Sequence, residues 1–168
     1  MTPQHRWLHR LMSLYAQGCG SYALMMGLSP QQWTRLPYPA RQRPVSADAL
    51  RRHQLMSELM ATRRDEQQQL ALWLAEYMHP DADPMHCIIA SVALAFNHLW
   101  EDLGLSSRAE LRQLMSDCFP ELVVMNDKNM RWKKFFYRQR CLHAEGELIC
   151  RSPSCDACCE RGVCFDMA

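Results

Sequence analysis

Cys87-Ile88-Ile89-Ala90-Ser91-Val92-Ala93-Leu94-Ala95-Phe96 is the longest apolar run in the chain. It is too short to cross a bilayer, which takes about 20 residues of helix. Asp81-Ala82-Asp83-Pro84 precedes it, a loop that ends in a helix start with Asp83 as N-cap and Pro84 at the first position. The helix expected from there runs from Met85 to about Leu103 and closes at Gly104. Its first half is apolar nearly all round, and a helix of that kind has to be covered on every side. It therefore belongs at the centre of a helical bundle.

The flanking sequence supplies the helices to cover it. Upstream, Ser46 and Asp48 open a long helical region in which Leu50, Leu55, Met56, Leu59 and Met60 recur at helical spacing, continued by Leu70, Leu74, Tyr77 and Met78. Arg63-Arg64-Asp65-Glu66 interrupts the apolar pattern, so the region reads as two helices or one kinked helix, ended by His79-Pro80. Nearer the N-terminus, Thr2-Pro3 starts a helix carrying Trp7, Leu8, Leu11, Met12, Leu14 and Tyr15, which Gly18 and Gly20 end. Tyr22 to Met26 is a short apolar stretch closed by Gly27, and Ser29-Pro30-Gln31-Gln32 opens another short helix. Pro37, Pro39 and Pro44, among Arg35, Arg41 and Arg43, make an irregular basic connector.

Downstream, Ser107-Arg108-Ala109-Glu110 is a capping box for a helix that runs to about Cys118 and stops before Pro120. Leu122-Val123-Val124-Met125 is the single strand candidate, and it is short. Asn126 or Asp127 is expected to cap a final helix through Trp132, Phe135 and Phe136 to about His143, and Gly146 then releases the chain. The expected architecture is all-α, a helical bundle of about six to eight helices with an irregular cysteine-rich C-terminal metal-binding loop. Residues 1–146 form the helical domain and 147–168 the cluster-binding tail, in one domain overall.

Composition agrees with an ordinary folded protein. The 168 residues are 48% hydrophobic and 22% charged, enough to bury a real core. The net charge of +1 singles out no partner. Met1-Thr2-Pro3-Gln4-His5-Arg6-Trp7 lacks the apolar segment of a secretory signal, so a cytoplasmic protein with no membrane span is expected. In that reducing compartment its nine cysteines are free thiols or metal ligands rather than disulfides.

Five of those thiols are crowded into Cys150-Arg151-Ser152-Pro153-Ser154-Cys155-Asp156-Ala157-Cys158-Cys159-Glu160-Arg161-Gly162-Val163-Cys164. Cys150, Cys155, Cys158 and Cys164 read as C-x4-C-x2-C-x5-C. Four thiolates suit tetrahedral zinc or an iron–sulfur cluster. Structural zinc sites usually set two C-x2-C pairs apart, whereas here only Cys155 and Cys158 make such a pair and single cysteines flank it closely. That compact spacing suits a cubane-type cluster wrapped by one loop, and it resembles the iron–sulfur loop of helix-hairpin-helix DNA glycosylases. Adjacent residues rarely both reach one metal with good geometry. Cys158 is therefore taken as the third ligand, with Cys159 as its alternative.

A second stretch, Asp127 to Cys141, carries Lys128, Arg131, Lys133, Lys134, Arg138 and Arg140 interleaved with Trp132, Phe135, Phe136 and Tyr137. A basic aromatic helix suits nucleic acid, an acidic protein surface or an oxyanion, and on its own it equally suits a solvated basic face.

Three separated motifs now line up. Phe96-Asn97-His98-Leu99-Trp100-Glu101-Asp102-Leu103-Gly104-Leu105, then Phe119-Pro120-Glu121-Leu122, then Met130-Arg131-Trp132-Lys133-Lys134-Phe135-Phe136-Tyr137-Arg138-Gln139-Arg140-Cys141 resemble the NifQ family, whose defining motif is the cysteine pattern of the tail. The resemblance covers about Met85 to Cys164, and Cys159 and Arg140 depart from the family pattern. It implies an iron–sulfur protein that carries molybdenum, as a molybdenum–iron–sulfur cluster, for the iron–molybdenum cofactor of nitrogenase. It also implies Cys150, Cys155, Cys158 and Cys164 as the cluster ligands. The partners it implies are a molybdenum source such as molybdate, the NifEN scaffold and the nitrogenase iron protein.

Weaker candidates surround this core. Cys141, just before the tail, and His98, in the family-like run, are possible extra ligands, as are His86 and His143. Cys87 and Cys118 lie in apolar helical contexts and read as core, and nothing pairs Cys19 with a site. No Ser/His/Asp arrangement, phosphate-binding glycine loop or paired-carboxylate signature occurs, so a carrier rather than an enzyme is expected. The alternatives are a nucleic-acid-binding or repair protein with a structural cluster, and a zinc-stabilised interaction module. The repair reading lacks the glycine-rich hairpin turn and following Asp that it needs, and nucleic acid is not the expected partner.

Overall fold

A computed structural model of the chain describes residues 1–37 and 43–145, with side chains described as far as Arg140. Among the described residues the regular elements are all helices, with no strand, as the periodicity demands. They form two compact units, Met1–Leu122 and a second that begins at Val123. The expected boundary at 146/147 lies outside the described residues.

The first unit opens with α1 (Pro3–Gln17), whose first turn is capped by the Thr2 hydroxyl accepting from His5 N. Gly18, at φ +78°, ends it in the left-handed conformation. A 3-10 turn at Leu24–Gly27 follows, then α2 (Pro30–Arg35), where Ser29 and Gln32 form the full reciprocal capping box. The long helical region divides into α3 (Ala47–Met60), capped by Ser46, and α4 (Arg64–Ala75), with a 3-10 turn at Ala61–Arg63 between them. A further turn at Pro80–Ala82 leads into α5 (Met85–Ala93). Then come α6 (Leu99–Asp102), α7 (Arg108–Cys118) and α8 (Pro120–Met125), which carries the chain into the second unit.

α5 is the buried centre that its composition requires. Met85, Ile88, Ile89, Ala90 and Val92 are wholly buried. α4 packs along it, and the Leu24–Gly27 turn and α6 also touch it. The Leu24–Gly27 turn comes so close that a Cβ on Gly27 would sit 2.4 Å from Ser91 Cβ. Gly27 also holds φ +75°, so a side chain is excluded there on both counts. α1 packs on α3, on α7 and on the Pro80–Ala82 turn.

The expected single helix from Met85 to Leu103 stops at Ala93. Arg63 Nη1 donates to the Leu94 carbonyl at 2.9 Å, taking up an acceptor where the helix ends. Phe96 is 74% exposed, so the apolar run outlasts the buried face. His98 is extended at the N-cap of α6, and Asn97 Nδ2 donates to Asp102 Oδ1 at 3.3 Å. Leu99 and Leu103 are buried by this second short turn, which imitates the period of one continuous helix. The N-cap assigned to Asp83 also fails. Pro84 has non-helical φ −104°, ψ 40°, so the helix begins one residue later and the Asp83 side chain caps nothing.

In the second unit α8 ends at Met125 and α9 (Trp132–Glu145) follows. Leu122 to Met125 are therefore helical. Asn126 does not cap α9 as expected. Its amide bridges the intervening loop, donating from Nδ2 to Met130 O and accepting from Met130 N at Oδ1, both at 2.8 Å. The bridge closes four positions on from Asn126, and α9 starts beyond it at Trp132.

Candidate metal centre

The four expected ligands, Cys150, Cys155, Cys158 and Cys164, and the alternative Cys159, lie outside the described residues, as does the side chain of Cys141 at its place on α9. Among the described residues no group of three or more His, Cys, Asp or Glu side chains is gathered to hold a metal.

The individual candidates within the helical body are accounted for by their surroundings. His98 is about half exposed, with Nε2 4.0 Å from Glu101 Oε1, and is placed by its role at the start of α6. His86 Nδ1 lies 3.7 Å from Asp83, and burial lowers its pKa against the pull of that carboxylate. Cys87 accepts from Gln32 Nε2 at 3.3 Å, and burial raises its pKa. Cys118 is fully buried, and burial pushes its thiol up to about 12, with Asp117 adding to the effect. The thiolate is the species that binds metal. Burial thus disfavours the thiolate at both Cys118 and Cys87.

The Asn97-His98-Leu99-Trp100 run has a definite structural job that sequence reasoning missed. Asp102, wholly buried, accepts from Ser21 Oγ at 2.8 Å as well as from Asn97, and its own carbonyl accepts from Ser21 N at 2.7 Å. Gly20 makes this approach possible, since a Cβ there would lie 2.5 Å from that carbonyl. The loop bearing Phe96, Asn97 and His98 is thereby tied to the end of α1, and the three residues are exposed. A charged residue inside an apolar, family-like run was the available signal.

The basic aromatic segment forms the start of α9. Trp132, Phe135 and Phe136 are buried and packed on one another, with the Trp132 and Phe135 rings perpendicular at 5.6 Å. Lys133, Lys134, Arg138 and Arg140 are half-buried, and Tyr137 is exposed. Aromatic burial fixes the helix, and the cations occupy its remaining positions.

Together these features define an all-helical protein with a cysteine-rich C-terminal segment. The NifQ family model matches residues 7–166. Protein NifQ of Klebsiella pneumoniae is 61% identical over 170 residues, covering 98% of this chain and 99% of that one. Protein NifQ of Azotobacter vinelandii is 38% identical over 172 residues, covering 96% and 87%. Protein NifQ of Rhodobacter capsulatus is 49% identical over 96 residues, covering 57% and 53%. No solved structure matches the chain. The chain belongs to the NifQ family, and the match takes in the first eighty residues, where the sequence alone shows no clear resemblance.

Proposed function

We propose that this chain is a carrier in nitrogenase cofactor biosynthesis. It holds an iron–sulfur cluster containing molybdenum as cargo and donates molybdenum for the iron–molybdenum cofactor. Family membership supports the link to nitrogenase. The observation that carries the rest is that the family match runs to residue 166 and so takes in Cys150, Cys155, Cys158, Cys159 and Cys164. Thiolates at C-x4-C-x2-C-x5-C spacing are soft donors, suited to a sulfur-rich iron and molybdenum site. In this reading Cys150, Cys155, Cys158 and Cys164 bind the cargo. Cargo held near a chain end can pass to an acceptor without unfolding a core, so carrying needs no catalytic group.

The receiving proteins are the NifEN scaffold acting with the nitrogenase iron protein, in the cytoplasm, and molybdate is the incoming source. Anaerobic purification with metal analysis and electron paramagnetic resonance is the test. Iron together with molybdenum is expected. Replacing Cys150 or Cys155 with Ala should remove both metals while far-ultraviolet circular dichroism stays helical. Zinc in native material, without iron or sulfide, would overturn the assignment.

A further inference from the structure

The described histidine side chains fall into two groups. His53 on α3 is buried, with its ring nitrogens 2.9 Å from Tyr22 O and 2.8 Å from Tyr15 O. His79 Nδ1 accepts from Asp81 N, and His86 and His98 face Asp83 and Glu101. His5 and His9 are different. Among the described residues neither imidazole has a hydrogen bond, an ion pair or a ring contact. They stand four positions apart on α1, His5 exposed and His9 half-buried.

Positions i and i+4 of a helix face the same side, with Cβ atoms about 5–6 Å apart. A zinc–nitrogen bond is about 2.0–2.1 Å long, so two imidazoles that share one ion bring their ring nitrogens within about 4 Å of each other. Side chains of that length reach this from adjacent turns, which is why two histidines at i and i+4 on one helical face serve as zinc ligands. The turn that carries the pair is held without any metal. Thr2 caps it through His5 N, and on the other side of the helix Gln4 and Trp7 both donate to Asp117, beside buried Leu8 and Leu11. Bringing the two rings together therefore costs side-chain ordering and no rearrangement of the backbone.

We infer that His5 and His9 form a metal site of their own, an open bis-imidazole chelate for a borderline divalent transition metal such as zinc, nickel or copper. It is distinct in chemistry from the thiolates of the tail. Imidazole suits these metals, whereas calcium and magnesium are held by oxygen donors. No further His, Cys, Asp or Glu joins the pair among the described residues. Two protein ligands leave the other coordination positions to solvent, which is the character of an exchangeable site rather than a closed structural one. Arg6 and Arg10 flank the pair, with the Arg6 guanidinium donating to Met1 O and that of Arg10 turned to Glu110. Their positive charge opposes a bound cation and holds the affinity down, so the metal leaves readily.

The full chain labelled with nitrogen-15 histidine tests this by titration with zinc at about pH 7.5, where a free imidazole is neutral. The ring nitrogens of two histidines should shift together, and His5→Ala and His9→Ala should each remove one of the two signals. Each replacement should also raise the zinc concentration at which the remaining ring responds by at least about tenfold, because one arm of the chelate is gone. Both side chains lack partners, so the variants keep the fold. Zinc taken up by the tail thiols does not move these two rings, so the result is independent of the carrier role. Magnesium at the same concentration should shift neither ring, and an equal response to it would contradict the imidazole chemistry. Absence of a zinc shift at both rings would overturn the site. So would a shift at each ring that loss of the other leaves unaltered, since that marks adventitious binding to single surface histidines.

Discussion

At the scale of single residues, the thiols divide by protonation state. Cys118 is fully buried under α7 with its thiol pushed up to about 12. At pH 8 it should hold roughly a thousand-fold less thiolate than a free cysteine. Iodoacetamide should leave Cys118 unmodified in the folded protein and modify it fully in denaturant, as read by peptide mass spectrometry. Labelling of Cys118 at a free-thiol rate under native conditions would show that its burial is wrong. The sequence placed Cys87 and Cys118 in the core because both sit in apolar runs. It could not reveal His53, since a histidine beside Arg51 and Arg52 reads as one more surface polar residue. Only the meeting of two carbonyls around its ring, each more than thirty positions away, makes it structural.

At the scale of elements, cap chemistry was readable because it is local. Thr2, Ser29, Ser46 and Ser107 all accept from the backbone N–H three positions on. The box at α7 differs in one detail. Ser107 accepts from Glu110 N, but the Glu110 carboxylate reaches past it to Ser106 N at 2.8 Å and to Arg10 on α1 at 3.5 Å. Burial tends to raise the Glu110 pKa, but these donors outweigh it and hold it below its ordinary 4.5. A depressed carboxylate stabilises the fold above its unfolded pKa, and that contribution disappears as pH falls through the folded value. Glu110→Gln should therefore lower the melting temperature at neutral pH and match the wild type in acid. Denaturation followed from about pH 7 to about pH 3 checks this, and a gap that persists at the acid end would contradict it. The break after Ala93 was not readable, because it depends on a distant partner. Arg63 reaches the Leu94 carbonyl from the turn between α3 and α4, and no periodicity within the run itself announces that contact.

At the scale of the whole molecule, the all-helical class was fully legible, since apolar residues recur at helical spacing in nearly every segment. The thiol spacing is the sole basis of the proposed metal chemistry, and those cysteines lie outside the described residues. The α9 cations bear on the carrier role proposed above. No acid lies between Lys128 and Arg140, so this stretch suits molybdate or an acidic acceptor protein. Lys133→Glu combined with Lys134→Glu should reduce molybdenum loading or transfer by several-fold and leave iron content unchanged. Loading and transfer assays at two salt concentrations would detect this, and unimpaired loading and transfer would remove these lysines from the mechanism.

The N-terminal helix has partners both near and far along the chain, α3 among the near ones. Gln4 donates to Asp117 O at 2.7 Å, Trp7 Nε1 donates to Asp117 Oδ2 at 2.7 Å, and Gly20 lies against the carbonyl of Asp102. The helix is therefore secured in part by residues about a hundred positions later. α3 and the Pro80–Ala82 turn can cover part of α1 first, and the remaining contacts wait for α7. Non-local closure of this kind slows folding and lengthens the exposure of unburied surface. It also sets an order along the chain. The contacts of α1 are complete with Asp117, and the cysteines of the tail follow later in the sequence.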